Sequence, residues 1–264
     1  MLQRLLLFLS ALVVTAGLAS RLRGGSSIRV SGIAQPTVTP IAAAFDETVE
    51  TRELTLGSCV WYAIQTGIFS TEEAASERAE AYSDRGAPGL VVRDGVKWRV
   101  LIACYADKAD ASAVRKKLLE MQKVDTYLYP WNAEEVTLRL TGMAGQLDLA
   151  EAGLGMALSA AERLRDQAAA LDSGEVTAEE ALAIVEDIRR QYAVFADTVA
   201  KRFPKPYPDL IALEVSQGEQ YAAMAAGLRA QADEGATALS GAMKCCAMRM
   251  YQLAVSMRQE LAAL

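Results

Sequence analysis

The sequence predicts an α+β fold, in which a four-stranded antiparallel sheet with two helices on one face is followed by an α-helical bundle of three or four helices. Three observations predict it. Between residues 54 and 131, short β-branched and aromatic runs alternate with helical segments bounded by turn residues. Beyond residue 132, apolar residues recur at alternating steps of four and three. The composition is 52% apolar but only 6% aromatic, which favours packed helices.

The first 23 residues have the pattern of a targeting segment. Arg4 precedes an uncharged run over residues 5–19, and about 15 apolar residues suit a signal peptide better than a spanning helix, which needs about 20. Gly17 and Ala19 suit a cleavage site, but the run lengthens if the leucine before Arg4 is counted, so an uncleaved signal anchor is the alternative. We expect an exported, extracytoplasmic protein, held at the membrane by this segment if it is uncleaved.

Residues 24–53 are predicted to be a flexible linker. They carry Gly, Ser and Thr, include Pro36 and Pro40, and lack sustained periodicity. The linker would tether the domain predicted for residues 54–131.

Four strands and two helices are predicted in that domain, with a capping box at Ser70 and Glu73 and a hairpin turn at Asp94-Gly95. In chain order the elements are a strand at 60–65, a helix at 70–85, strands at 90–93 and 97–103, a helix at 107–122 and a strand at 126–129. This βαββαβ order favours an antiparallel sheet with both helices on one face and the other face open.

Strand alternation predicts which side chains occupy each face. In the first strand, Trp61, Ala63 and Gln65 share one face. In the third strand, residues 98, 100 and 102 are expected to face the helices, whereas residues 99, 101 and 103 face outward. We therefore expect Gln65 and Arg99 on the open face.

Several of these residues together resemble a SPOR domain. They are Trp61-Tyr62-Ala63-Ile64-Gln65-Thr66-Gly67-Ile68-Phe69-Ser70, then Trp98-Arg99-Val100, then Tyr105 ahead of a helix containing Ala111. The resemblance implies an RNP-like, non-catalytic module of exported proteins. It also implies binding to peptidoglycan glycan strands, preferably those stripped of stem peptides, in proteins of division or sporulation.

The resemblance and the strand pattern select polar and aliphatic candidates for glycan binding. Gln65 matches the glutamine that family members use on the open face, and Ile68 occupies the family's second contact position. Arg99 is a plausible hydrogen-bond donor to sugar oxygens. The competing interpretations are a solvated Gln65 or Arg99 and a hydrophobic plug at Ile68.

Aromatic side chains complete the candidate site. Trp61 shares the face of Gln65, and Tyr127 and Tyr129 share one face with each other. An aromatic platform for the apolar faces of sugar rings is one interpretation of the tyrosines. Core packing is the equal alternative.

Cys59 and Cys104 are expected at one end of the sheet, because the first and third strands are predicted antiparallel neighbours. A disulfide, which an oxidising exterior would permit, and a pair of buried thiols are both consistent with this placement. Cys245 and Cys246 are adjacent in a helical stretch, where they are expected to fill space as small apolar residues.

Residues 132–264 are predicted to form the helical bundle. Asn132 and Glu135 form a start signal for the first helix, and an apolar seam then runs to residue 171. Thr177 with Glu180 starts the next helix, and the last segment carries a similar seam. We expect these seams to pack within the bundle, against a protein partner or by self-association.

Composition also excludes several classes of function. The chain has no histidine, which removes Ser-His-Asp and Cys-His nucleophile pairs and histidine-based zinc sites. The net charge of −6 disfavours nucleic-acid binding. We therefore expect neither an enzyme nor a cofactor or metal, but a cell-envelope binding protein. The alternative is an exported scaffold whose bundle mediates protein contacts beside a non-binding SPOR-like module.

Overall fold

The computed structural model describes residues 48–83 and 87–262. The predicted targeting segment and most of the predicted linker lie outside these residues. The strands are β1 Val49–Leu56, β2 Cys59–Phe69, β3 Leu90–Asp94, β4 Lys97–Tyr105, β5 Tyr127–Ala133 and β6 Val136–Met143. The helices are α1 Glu72–Ser83, α2 Lys108–Gln122, α3 Ala144–Leu154, α4 Met156–Asp172, α5 Ala178–Arg202, α6 Asp209–Ala226, α7 Leu228–Asp233 and α8 Ala236–Ala262. Within the described ranges, no helix combines the length and hydropathy needed to cross a bilayer.

A four-stranded antiparallel sheet in the order β3-β4-β2-β5 confirms the α+β fold and the βαββαβ arrangement. Helices α1 and α2 cover one face, where Ile64, Val100 and Ile102 pack against alanines of α1 and apolar residues of α2. The β3-β4 hairpin turns at Asp94-Gly95, as predicted, with Gly95 at a φ of 59°. Thr71 rather than Ser70 caps α1, since its hydroxyl accepts from the backbone N–H of Ala74 at 3.3 Å.

A bulge in β4 changes the end of the strand alternation. Ile64 pairs with Ala103 but Gln65 pairs with Leu101, so Ile102 is the extra residue. Ala103 was expected to face outward, and it packs instead beside the helix-covered cluster. The other expected orientations hold, because Val100 lies in the helix-covered cluster and Leu101 lies on the opposite face.

Of the two alternatives for Cys59 and Cys104, the structure has the thiols, and all four cysteines are free. The register places Cys104 opposite Ala63, four residues along β2 from Cys59. At about 3.3 Å per residue this offset is roughly 13 Å, beyond the Cα separation of a disulfide. Cys59 and Cys104 both pack as partly buried apolar groups against the bundle.

A two-stranded sheet of β1 and β6 replaces the start of the predicted first helix. The expectation of a helix from Asn132 was wrong because Val136, Leu138 and Leu140 also repeat with the period of two that a strand requires. Alternate threonines face solvent, and Thr51 and Thr141 are hydrogen bonded across the pair at 2.8 Å. The partner of β6 in this sheet, β1, begins at Val49, so most of the strand lies within the predicted linker of residues 24–53.

Residues 144–262 form the predicted helical bundle, with the longer helices subdivided. Single glycines, Gly155 and Gly227, separate α3 from α4 and α6 from α7. Thr177 caps α5 as predicted, since its hydroxyl accepts from the N–H of Glu180 at 3.2 Å and the Glu180 carboxylate accepts from the N–H of Thr177 at 2.8 Å. Alanines of α4 pack in a common cluster with apolar residues of α8, which allows these two helices to approach closely.

The sheet face expected to be open is covered over much of its area by α8, and Arg165 of α4 lies over the ring of Trp61. Seven sheet residues are buried there in one continuous apolar cluster with the bundle: Trp61, Ala63, Leu90, Val92, Leu101, Trp131 and Ala133. The expectation of a bare face is therefore wrong for this part of the sheet. The physical reason is that these outward residues are themselves apolar, and a patch of this kind is stable only when covered.

Helix α8 makes the most specific contacts with the covered area. The ring of Tyr251 stacks on Trp61 with centroids 4.3 Å apart, and its single O–H is shared between the carbonyl oxygens of Trp131 at 2.7 Å and Cys59 at 3.1 Å. Arg258 donates to the carbonyl oxygen of Gly57 at 2.6 Å. Sheet and bundle thus share one core.

Candidate functional site

The structure brings five of the six predicted binding residues together at one end of the sheet. Gln65 pairs with Tyr127, Ile68 pairs with Arg99, and Tyr129 is opposite Ala63. Paired residues of antiparallel strands point to the same face, so these side chains lie on the face that the bundle covers elsewhere. We call this group, Gln65, Ile68, Arg99, Tyr127 and Tyr129, the exposed end of the sheet.

Arg99 is the centre of the exposed end. Its Nη1 donates to Oε1 of Gln65 at 2.6 Å, while Nε and Nη2 contact Oδ2 of Asp94 at 2.7 and 2.5 Å. The guanidinium also lies 4.4 Å from the ring centroid of Tyr129. A guanidinium has five N–H groups, and these contacts engage three of them.

Gln65 is only 4% exposed, and its amide oxygen is occupied by Arg99. Gln65 is therefore not a free side chain on an open strand, as a principal amide contact for a ligand would be. In the described arrangement Gln65 supports Arg99 from beneath.

Ile68 and Tyr127 form the solvent-facing part of the exposed end, at 51% and 58% exposure. The Tyr127 hydroxyl donates to Oδ2 of Asp125 at 3.5 Å. Tyr129 is half-buried, and burial followed by the nearby Asp94 charge raises the pKa of its hydroxyl. Tyr129 is therefore neutral at ordinary pH and able both to donate and to accept a hydrogen bond.

Trp61, the sixth predicted residue, lies at the covered end and is 1% exposed. Tyr251 stacks on its ring, and the guanidinium of Arg165 lies 4.9 Å from its ring centroid. In this arrangement Trp61 is a core residue and does not reach a ligand.

Two residues next to the predicted site were missed by the sequence reasoning. The sequence indicates Asp94 only as a turn residue. The opposite charges of Asp94 and Arg99, five positions apart across a hairpin, are the pattern that could have predicted their ion pair. Tyr251 lies on a helix whose seam gave no indication of a sheet as partner. In the part of the chain that the structure describes, no cluster of three or more acidic or cysteine side chains is placed to hold a metal ion.

Comparison with known families identifies the sheet. Residues 62–129 match the family described as the SPOR domain, which covers the sheet from β2 to β5 together with α1 and α2. Searches of curated proteins and of solved structures found no match to the chain. SPOR domains are peptidoglycan-binding modules of extracytoplasmic proteins. Residues 62–129 therefore match the SPOR domain family, which is consistent with a SPOR domain-containing protein.

Proposed function

We propose that this protein is a non-catalytic cell-envelope protein that binds peptidoglycan glycan strands through the exposed end of its SPOR sheet. The observation that carries the proposal is the convergence of Ile68, Arg99, Tyr127 and Tyr129, with buried Gln65 beneath Arg99, at the part of the face that the bundle leaves accessible.

The chemistry of these side chains suits a glycan. Sugar rings present apolar C–H faces beside hydroxyl and acetamido groups, so a site needs flat apolar surface next to hydrogen-bonding groups. Tyr127 and Ile68 supply exposed apolar surface. The Arg99 guanidinium supplies donors, and the Tyr129 hydroxyl supplies a donor and an acceptor.

The proposal includes export, because peptidoglycan lies outside the cytoplasm. The targeting pattern of residues 1–23 supports it. We extend the proposal to a role in division or sporulation, on the basis of the processes in which SPOR domains are commonly used.

The test is retention of the full chain on purified sacculi, with and without amidase treatment to remove stem peptides. We expect retention on stripped sacculi, and loss of most of it in Tyr127→Ala and Ile68→Ala. The matched control is Val194→Ala, which removes an exposed apolar side chain from α5. The proposal is overturned if the wild-type chain is not retained, or if both site variants are retained as well as the control.

A second candidate function follows from the covering of Trp61. If the sheet serves mainly as a docking platform for α4 and α8, the protein is an exported scaffold that acts through protein contacts of its bundle. This candidate predicts no retention on sacculi, together with self-association or a bound partner that chemical crosslinking of the full chain detects.

A further inference from the structure

Asp94 makes an ion pair with Arg99 that is unusual for its position in the chain. It is the last residue of β3 and begins the Asp94-Gly95 turn. An aspartate at such a position commonly accepts hydrogen bonds from the backbone of its own turn. Here Oδ2 of Asp94 instead reaches across the hairpin to Nε of Arg99 at 2.7 Å and Nη2 at 2.5 Å.

This ion pair fixes the direction of the Arg99 side chain. Because Nε and Nη2 of Arg99 are bound to Asp94, Nη1 is positioned to donate to the amide oxygen of Gln65. The guanidinium is also held near the Tyr129 ring. A long flexible side chain is thereby held in one position before a ligand arrives, which lowers the entropy lost on binding.

The ion pair also changes what Arg99 attracts. A free guanidinium binds carboxylate and phosphate groups through two parallel hydrogen bonds. In this site Asp94 already occupies that position and compensates the charge. The remaining N–H groups of Arg99 are suited to single hydrogen bonds with uncharged oxygens.

We propose that Asp94 is a positioning residue that makes the exposed end select the uncharged hydroxyl and acetamido groups of a glycan over its carboxylates. This inference rests on the proposed function, because it assigns the ligand chemistry of the same site. It gives Asp94 a role in ligand selection, in addition to any contribution to the hairpin.

The experiment compares two ligands whose main difference is the charge of one group. Amidase treatment frees the carboxylate of each muramic acid, and coupling with methylamine then blocks it. We expect the wild-type chain to be retained equally on the two forms of stripped sacculi, with little dependence on sodium chloride. Asp94→Asn should be retained about threefold more strongly on the unblocked form at low salt, and salt should abolish this gain.

Two further variants connect the gain to Arg99. The double variant Asp94→Asn/Arg99→Gln should lose it, because the uncompensated guanidinium is gone. The matched control Glu120→Gln removes one negative charge from α2, on the other side of the sheet, and should behave as wild type. A role of Asp94 in hairpin stability alone would not produce a dependence on ligand carboxylates.

The outcomes separate this inference from the proposed function. Lack of wild-type retention on both forms overturns the proposed function and the inference with it. Wild-type retention, combined with an Asp94→Asn variant that responds to carboxylates and salt no differently from Glu120→Gln, overturns the inference alone. Preference of the wild-type chain for the unblocked form also overturns it.

Discussion

Glu214 is a buried acid whose replacement should change the pH dependence of stability. It is 1% exposed within the bundle, and neither of its carboxylate oxygens has a hydrogen-bond partner among the described residues. Its carboxyl group lies against Gly153, at 2.4 Å from where a Cβ atom on that glycine would stand. Burial raises its pKa from 4.5 to about 9, so it folds in the protonated form.

The sign and size of the effect follow from this pKa. Between pH 4.5 and 9 the folded chain holds a proton that the unfolded chain releases, so the free energy of unfolding falls as pH rises. At about 1.4 kcal/mol per pKa unit, the cost at pH 7 is on the order of 3 kcal/mol, and it levels off near 6 kcal/mol above pH 9. Below pH 4.5 the cost disappears.

Glu214→Gln removes this titration while keeping the shape of the side chain. At pH 4.5 we expect the variant to be about 1 to 3 kcal/mol less stable, because its amide adds buried donors. At pH 8 it should be the more stable chain. Urea unfolding followed by circular dichroism between pH 4.5 and 9 measures the difference.

The exposed Glu219 on the same helix gives a matched control, and Glu219→Gln should keep the wild-type pH profile. Parallel stability profiles for wild type and Glu214→Gln across the whole range would refute the reasoning. That result would mean that the carboxyl group is solvated or paired in the folded chain.

Three substitutions and one thiol measurement test other parts of the fold. Tyr251→Phe keeps the ring stack but loses the O–H shared between two sheet carbonyls, and should lower the free energy of urea unfolding by about 1 to 3 kcal/mol. Gly153→Ala should cost a similar ~1 to 3 kcal/mol, because the new methyl group meets Glu214, and an unchanged unfolding midpoint would contradict this packing. Thr177→Ala removes the α5 cap and should cost about 1 kcal/mol, whereas Thr198→Ala on the same helix should cost less. Titration of the unfolded protein should find four free thiols before and after reduction, and a difference between the two would show a disulfide.

The sequence predicted those parts of the fold that depend on local patterns. The Asp94-Gly95 hairpin, the Thr177 cap and the alternation of the central strands are each encoded within a few residues. The bulge at Ile102 was not predictable, because an extra residue leaves the apolar pattern unchanged until the partner strand is known.

Longer-range features were the ones missed. The spacing of Val136, Leu140 and Met143 fits both a helix seam and a strand, and only the pairing with β1 decides between them. For the candidate site, alternation predicted Gln65 and Arg99 on one face, but the face of Tyr127 and Tyr129 required the β2-β5 register. Burial of Trp61 depends on Tyr251, 190 positions along the chain, which no local pattern reveals.

The shared core of sheet and bundle means that the recognisable domain is not a unit of folding. A fragment that ends at residue 131 would leave Trp61, Leu101 and Trp131 facing water without α8. Such a fragment is expected to aggregate through its exposed apolar side chains, even though its sequence matches the family. Division of this protein into fragments should therefore keep the sheet together with the last helix, since their buried residues form one cluster.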